Sequence, residues 1–238
     1  MKPIVVAVMV LLAGAGRAIA ADMPVPQAAP VPPPTYYPVA YGNWSGIYLG
    51  VNGGYAFGQS NWTNAGASTG NFSTNGFLVG GTLGANYQTG PYLVGFEGDI
   101  DWSSLRGNSS VAACVGLGAP AGTTCQTNSD WLGTARARVG YAFDRLLIFG
   151  TGGAAFGNMR AVLNPPGTSF SIPPQLGWTV GAGVEYAFTE AISAKVDYLF
   201  VNLGTAACPT AIGCGLPSAS FSLSENLVRA GVNYRFNW

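Results

Sequence analysis

Tyr92-Leu93-Val94-Gly95-Phe96-Glu97-Gly98-Asp99-Ile100-Asp101-Trp102-Ser103 is the stretch whose reading decides the fold. Tyr92, Val94, Phe96, Ile100 and Trp102 alternate with Glu97, Asp99, Asp101 and Ser103. Successive side chains of a strand point to opposite faces, so this segment has one apolar and one polar face. A helix would scatter both sets around its circumference.

Working outward, the same period of two recurs in residues 44–57, 76–88, 131–143, 175–188, 191–203 and 225–238. Residues 146–157 also read as a strand, but Leu147 and Phe149 compete with Ile148 and Phe156 for the apolar face. That makes eight strands. The gaps alternate in length: 58–75, 104–130, 158–174 and 204–224 are long, whereas 89–91, 144–145 and 189–190 are tight. Long connections on one side and tight turns on the other mark an outer-membrane barrel with its turns in the periplasm. The fold expected is therefore all-β, an eight-stranded antiparallel transmembrane barrel over residues 44–238.

Composition agrees. Charged residues make up 8% of the 238, against about 25% in soluble domains. Hydrophobic residues reach 48%, yet past the N-terminus no apolar run approaches the ~20 residues of a membrane helix. A soluble barrel of the lipocalin type also alternates, but it needs a solvated, charged exterior that this chain cannot supply. Its polar face is mostly Gly, Thr, Asn and Ser, which suit a narrow lumen. Tyr and Trp gather near strand ends (Tyr92, Trp102, Trp131, Tyr141, Trp178, Tyr234), the depth of an interfacial girdle.

Two segments precede the barrel. Lys2, the apolar run 4–15 and Ala18-Ile19-Ala20 read as a signal peptide over residues 1–20, cleaved after Ala20 or, as second choice, Ala21. Residues 21–43 form a Pro-rich periplasmic linker, whose prolines favour extended conformations.

Glu97, Asp99 and Asp101 on the third strand and Arg136 and Arg138 on the fourth share one face, where opposite charges can pair, and parity puts Asp130 and Thr134 on that polar face of the fourth strand too. Glu185, Lys195, Asp197, Arg229 and Arg235 lie on the corresponding face of later strands and extend the set to a luminal charge network. Such a network serves as a plug of paired charges or, less simply, as an ion path. Cys114 and Cys125 fall in one long gap, and Cys208 and Cys214 in another. In an oxidising compartment two local disulfides are expected, one within each pair. Metal binding would want closer spacing or histidine partners.

The chain has no histidine, so the commonest general base and metal ligand is missing. Membrane-barrel proteases and lipid deacylases, as families, depend on that residue, so an enzyme is not expected. No catalytic, cofactor-binding or metal-binding residue is assigned. The formal net charge of zero gives no support to nucleic-acid binding.

Three stretches carry a resemblance. They are Trp44-Ser45-Gly46-Ile47-Tyr48-Leu49-Gly50 after the linker, Gly177-Trp178-Thr179-Val180-Gly181-Ala182-Gly183-Val184-Glu185-Tyr186, and Val228-Arg229-Ala230-Gly231-Val232-Asn233-Tyr234-Arg235-Phe236. Together they resemble the small outer-membrane β-barrel proteins of alphaproteobacteria, the "porin family" related to opacity-type surface proteins. The resemblance implies an abundant envelope protein of the outer membrane, in contact with lipid and lipopolysaccharide, and in some members with a host surface or haem. It also implies that Val232, Tyr234, Phe236 and Trp238 form the signal read by the barrel-assembly machinery, although the family's usual terminal Phe is here extended by Asn237-Trp238. The cysteine pairs depart from the family pattern.

The function expected is a structural envelope protein presenting surface loops, with no cofactor and with a linker that could reach peptidoglycan. The alternative is a narrow porin, or a surface protein that binds a small solute or haem.

Overall fold

The computed structural model describes residues 42–165, 167–207 and 219–236. The expected signal peptide, the linker up to residue 41, the Cys208 and Cys214 pair, and Trp238 lie outside them. Eight long strands follow one another: β1 (Gly46–Asn64), β2 (Phe72–Thr89), β3 (Tyr92–Asn108), β4 (Thr124–Phe143), β5 (Leu146–Asn164), β6 (Thr168–Ala187), β7 (Ile192–Ala207) and β8 (Ser220–Phe236). Each pairs antiparallel with the next, and β8 pairs back onto β1 from Ile47↔Phe236 to Thr63↔Ser220, closing the sheet. Closure leaves no ladder edge, the condition for a sheet to stand in lipid.

The strands are 16 to 20 residues long, about twice the 9–11 that cross a bilayer. This corrects the long gaps read from the sequence. Most of 58–75 is strand, with a hairpin closed at Ala65 and Gly66, where φ is 46° and 87°, and with Ala67–Ser68 folded back onto β1. Only three residues separate β5 from β6. The stretch between β3 and β4 holds a short helix, α1 (Val111–Gly116), whose N-cap Ser110 accepts from the Ala113 amide.

The reason for the misreading is visible in β8. Its outward positions are Ser220, Ser222, Ser224 and Asn226, then Val228, Ala230, Val232, Tyr234 and Phe236. Its inward positions are Phe221, Leu223, Glu225 and Leu227, then Arg229, Asn233 and Arg235. The pleat runs on unbroken, but the apolar set changes face between Leu227 and Val228. Other strands turn over outwardly at the corresponding level, from Phe57 to Gln59, Phe77 to Asn75, Trp102 to Ser104, Phe156 to Asn158 and Phe200 to Asn202. A ring of amides and hydroxyls thus caps the apolar belt, and the barrel continues beyond it into water.

Inside, the two halves differ accordingly. Beyond the belt a dry cluster fills the barrel, including Leu105, Leu132, Leu203, Leu223, Met159 and Phe221. Trp62 meets Phe221 edge to face at 4.7 Å, and its indole N–H donates to Thr127 Oγ1 at 2.8 Å. Cys114, Leu117 and Ala119 bring α1 and the segment after it into this cluster. The Cys114–Cys125 disulfide is present, but it joins α1 to β4, because Cys125 stands on a strand rather than in a loop. The ambiguous fifth strand also resolves: Leu147 and Phe149 point inward, buried, and Ile148 outward.

Candidate functional site

The belt half of the lumen is built from positions that the pleat turns inward. Glu97 on β3 lies directly across from Arg136 on β4, and Arg136 Nη2 donates to Glu97 Oε1 at 2.5 Å. The same Nη2 reaches Asp99 Oδ2, which also accepts from Thr134 Oγ1 at 2.9 Å. Other bonds cross the lumen. Lys195 on β7 donates to Glu97 Oε2 at 2.9 Å. Arg229 on β8 reaches both ways: it grips Asp197, its register partner on the adjacent β7, with Nε and Nη2 at 3.1 and 2.9 Å. Its Nη1 reaches across to Asp99 Oδ1 and Asp101 Oδ2 at 3.0 and 2.8 Å. Nearer the periplasm, Arg138 Nη2 donates to Glu185 Oε2 at 2.5 Å, while its guanidinium lies 3.8 Å from the Phe149 ring centre.

These side chains are sealed from water: none of the paired charged groups is more than 3% exposed. Ions taken out of water lose several kcal/mol of hydration each, which only well-made pairs with further hydrogen bonds offset. Neutral groups supply those bonds. Tyr48 donates its hydroxyl to Glu97 at 2.7 Å and accepts from Arg138 at 3.1 Å. Ser193 and Asn233 donate to Glu185 Oε1 at 2.5 and 2.8 Å. Space for the Tyr48 ring comes from Gly84, where a Cβ would lie 2.3 Å from the phenol oxygen.

Nine of the ten charged residues named from the sequence meet in this lattice. Arg235 does not. It sits at the periplasmic mouth, where Nη1 donates to the carbonyls of Asn43 and Glu190 at 2.7 and 3.3 Å and the guanidinium stacks 4.4 Å over Trp44. Trp44 packs with Leu93, Ala142, Leu147 and Phe149 and donates its indole N–H to the Asp144 carbonyl at 3.1 Å. This floor was not anticipated from the sequence. Asp130, placed by parity on the polar face, is displaced outward by a register shift between Asn128 and Leu132, and there it meets Arg160 at 3.5 Å in solvent. Glu225 was not assigned to the network, although its parity with Arg229 turns it inward. It is 3% exposed, and Oε1 has no hydrogen-bond partner.

A closed antiparallel ring, an apolar outward belt and a charge-filled lumen define the class, and residues 23–236 match the outer membrane protein beta-barrel domain. The chain belongs to that family and is a protein of the Gram-negative outer membrane. Among its relatives is the 31 kDa outer-membrane immunogenic protein of Brucella melitensis, 34% identical, with 93% of this chain and 95% of the relative covered. Another is the 22 kDa outer membrane protein of Rhizobium leguminosarum, 31% identical over 88% of this chain and 83% of the relative. Neisserial surface protein A is a solved structure of similar shape, at 16% identity and a TM-score of 0.43, covering 81% of this chain and 98% of that one.

Proposed function

We propose that this outer-membrane barrel is closed to solutes and acts as a non-catalytic structural element that holds a rigid surface projection in place. One observation carries the reading: among the described residues, buried side chains occupy the lumen at each level. From the periplasm upward it contains the Trp44 floor, the ion-pair lattice and the apolar cluster. Eight strands enclose little more than their own side chains, and here those side chains bond to one another.

The lack of histidine supports a role without hydrolysis. The relatives' printed description as immunogenic outer-membrane proteins supports exposure of the projecting half at the cell surface. The outward row Val232, Tyr234 and Phe236, with Trp238 two positions further in the sequence, is the segment the barrel-assembly machinery would read. Peptidoglycan for the linker and a host surface for the projection are the partners this reading expects.

Planar-bilayer recording tests the closure. Wild-type protein should give no stable conductance steps. Regular open-channel steps from the wild type would overturn the reading in favour of a narrow pore.

A further inference from the structure

The outside of the barrel carries few charges. Among the described residues, the exterior beyond the apolar belt holds three: Arg106, Asp130 and Arg160. Asp130 is occupied by Arg160 at 3.5 Å and by Asn158 Nδ2 at 3.1 Å. Arg106 is different. It stands exposed on β3, and its side chain has no ion pair or hydrogen bond to any described residue.

Its surroundings form a hollow of about 550 Å³ on the outer face of β1, β2 and β3, lined by Ser73, Asn75, Arg106 and Asn108 with Tyr55 and Phe77. The hollow has a structural origin. The ladder between β2 and β3 lapses where Gly76 and Phe77 face Ser104 and Leu105. Ser104 Oγ patches the gap, accepting from the Phe77 amide at 3.0 Å and donating to its carbonyl at 3.2 Å. Tyr55 and Phe77, edge to face at 5.2 Å, lie on the membrane side, and the amides and Arg106 lie on the water side. Asn75 is the register partner of Arg106 on β2, and Asn128 is its partner on β4.

This hollow sits where the outward residues change from aromatic to amide, the change expected at the headgroup level of the outer leaflet. A guanidinium offers a planar fork of donors matched to phosphate oxygens. Flanking amides donate to sugar or phosphate oxygens, and aromatic rings below pack against acyl chains. We propose that Arg106, with Asn75 and Asn108, binds the phosphate of an outer-leaflet phosphoglycolipid, the membrane anchor of lipopolysaccharide. The site is independent of whether the lumen conducts.

Native mass spectrometry of the folded full-length mature barrel in detergent tests this, with lipid A as probe. Wild type should retain lipid A, and Arg106→Gln should weaken binding at least tenfold. Dephosphorylated lipid A should bind wild type as weakly as lipid A binds the variant. Arg145→Gln, on the periplasmic side, should leave binding unchanged. Heat-dependent gel mobility confirms that each variant is folded. Equal binding by wild type and Arg106→Gln, or equal binding of the two lipids, would overturn the proposal. So would displacement by inorganic phosphate at the lipid's own concentration, since the site would then hold a free anion rather than a lipid.

Discussion

The belt half and the projecting half of this barrel use the same eight strands and opposite packing. Where lipid lies outside, Val228, Val232 and Phe236 face out and Arg229 and Asn233 face in. Where water lies outside, Ser222 and Ser224 face out and Phe221 and Leu223 face in. The contrast separates two causes of order that usually act together. Lipid gives an apolar side chain no reason to turn inward, so the belt half is organised by directional ion pairs and hydrogen bonds. Water does give that reason, and the projecting half is organised by burial, worth ~1.5–3 kcal/mol for each large side chain.

If that division is correct, single substitutions should divide the same way. The largest effect should come from Arg229→Ala, which leaves Asp101 and Asp197 without a cation and Asp99 with Arg136 alone. A loss of ~3–5 kcal/mol is expected on breaking a buried pair, measured by urea unfolding in lipid vesicles. Wild-type stability in this variant would mean that the lattice does not organise the lower half.

Next, Val232→Arg on the lipid face should cost ~2–4 kcal/mol in the same assay. Ser222→Arg, ten positions earlier on the same strand and also outward, should change stability by no more than about 0.5 kcal/mol. Equal penalties would place lipid around both positions and erase the boundary at Val228.

Cys114→Ser with Cys125→Ser should cost ~2–3 kcal/mol on the loop-entropy account, for a separation of 11 residues. The loss should appear as faster amide exchange in α1 and the upper cluster, with the lattice unaffected. Uniform acceleration through both halves would show that they unfold as one unit. The smallest of the losses inside the barrel should be Ile172→Val in the upper cluster, ~0.5–1.5 kcal/mol, seen as a shift in the urea midpoint without a change of slope.

The belt half was legible because its pleat carries a single phase of apolar residues, long enough to read in each strand. Glu97, Asp99 and Asp101 had no other direction to point once Phe96, Ile100 and Trp102 faced lipid. Which cation met which acid was not legible. Arg138 meets Glu185 and Lys195 meets Glu97 across the lumen, and such contacts depend on ring closure rather than strand order. The projecting half was read as loop because the phase flips at its border. Ser222 and Leu223 continue β8, but a pattern that seeks apolar residues at even positions ends at Val228. Asp130 failed for a related reason, since one extra residue in a strand reverses everything beyond it.

One contact at the periplasmic mouth bears on how the chain is assembled. Arg235 on β8 bonds the carbonyl of Asn43, 192 positions earlier, and lies over Trp44. Arg235 lies near the end of the eighth strand and Asn43 three positions before the start of the first, so the joint works as a latch that can be thrown only once the eighth strand has docked. Until then the lower end stands ajar, with Trp44 lacking its cationic cover. Inserting a chain halted short of residue 235 should therefore yield a barrel whose door has never shut.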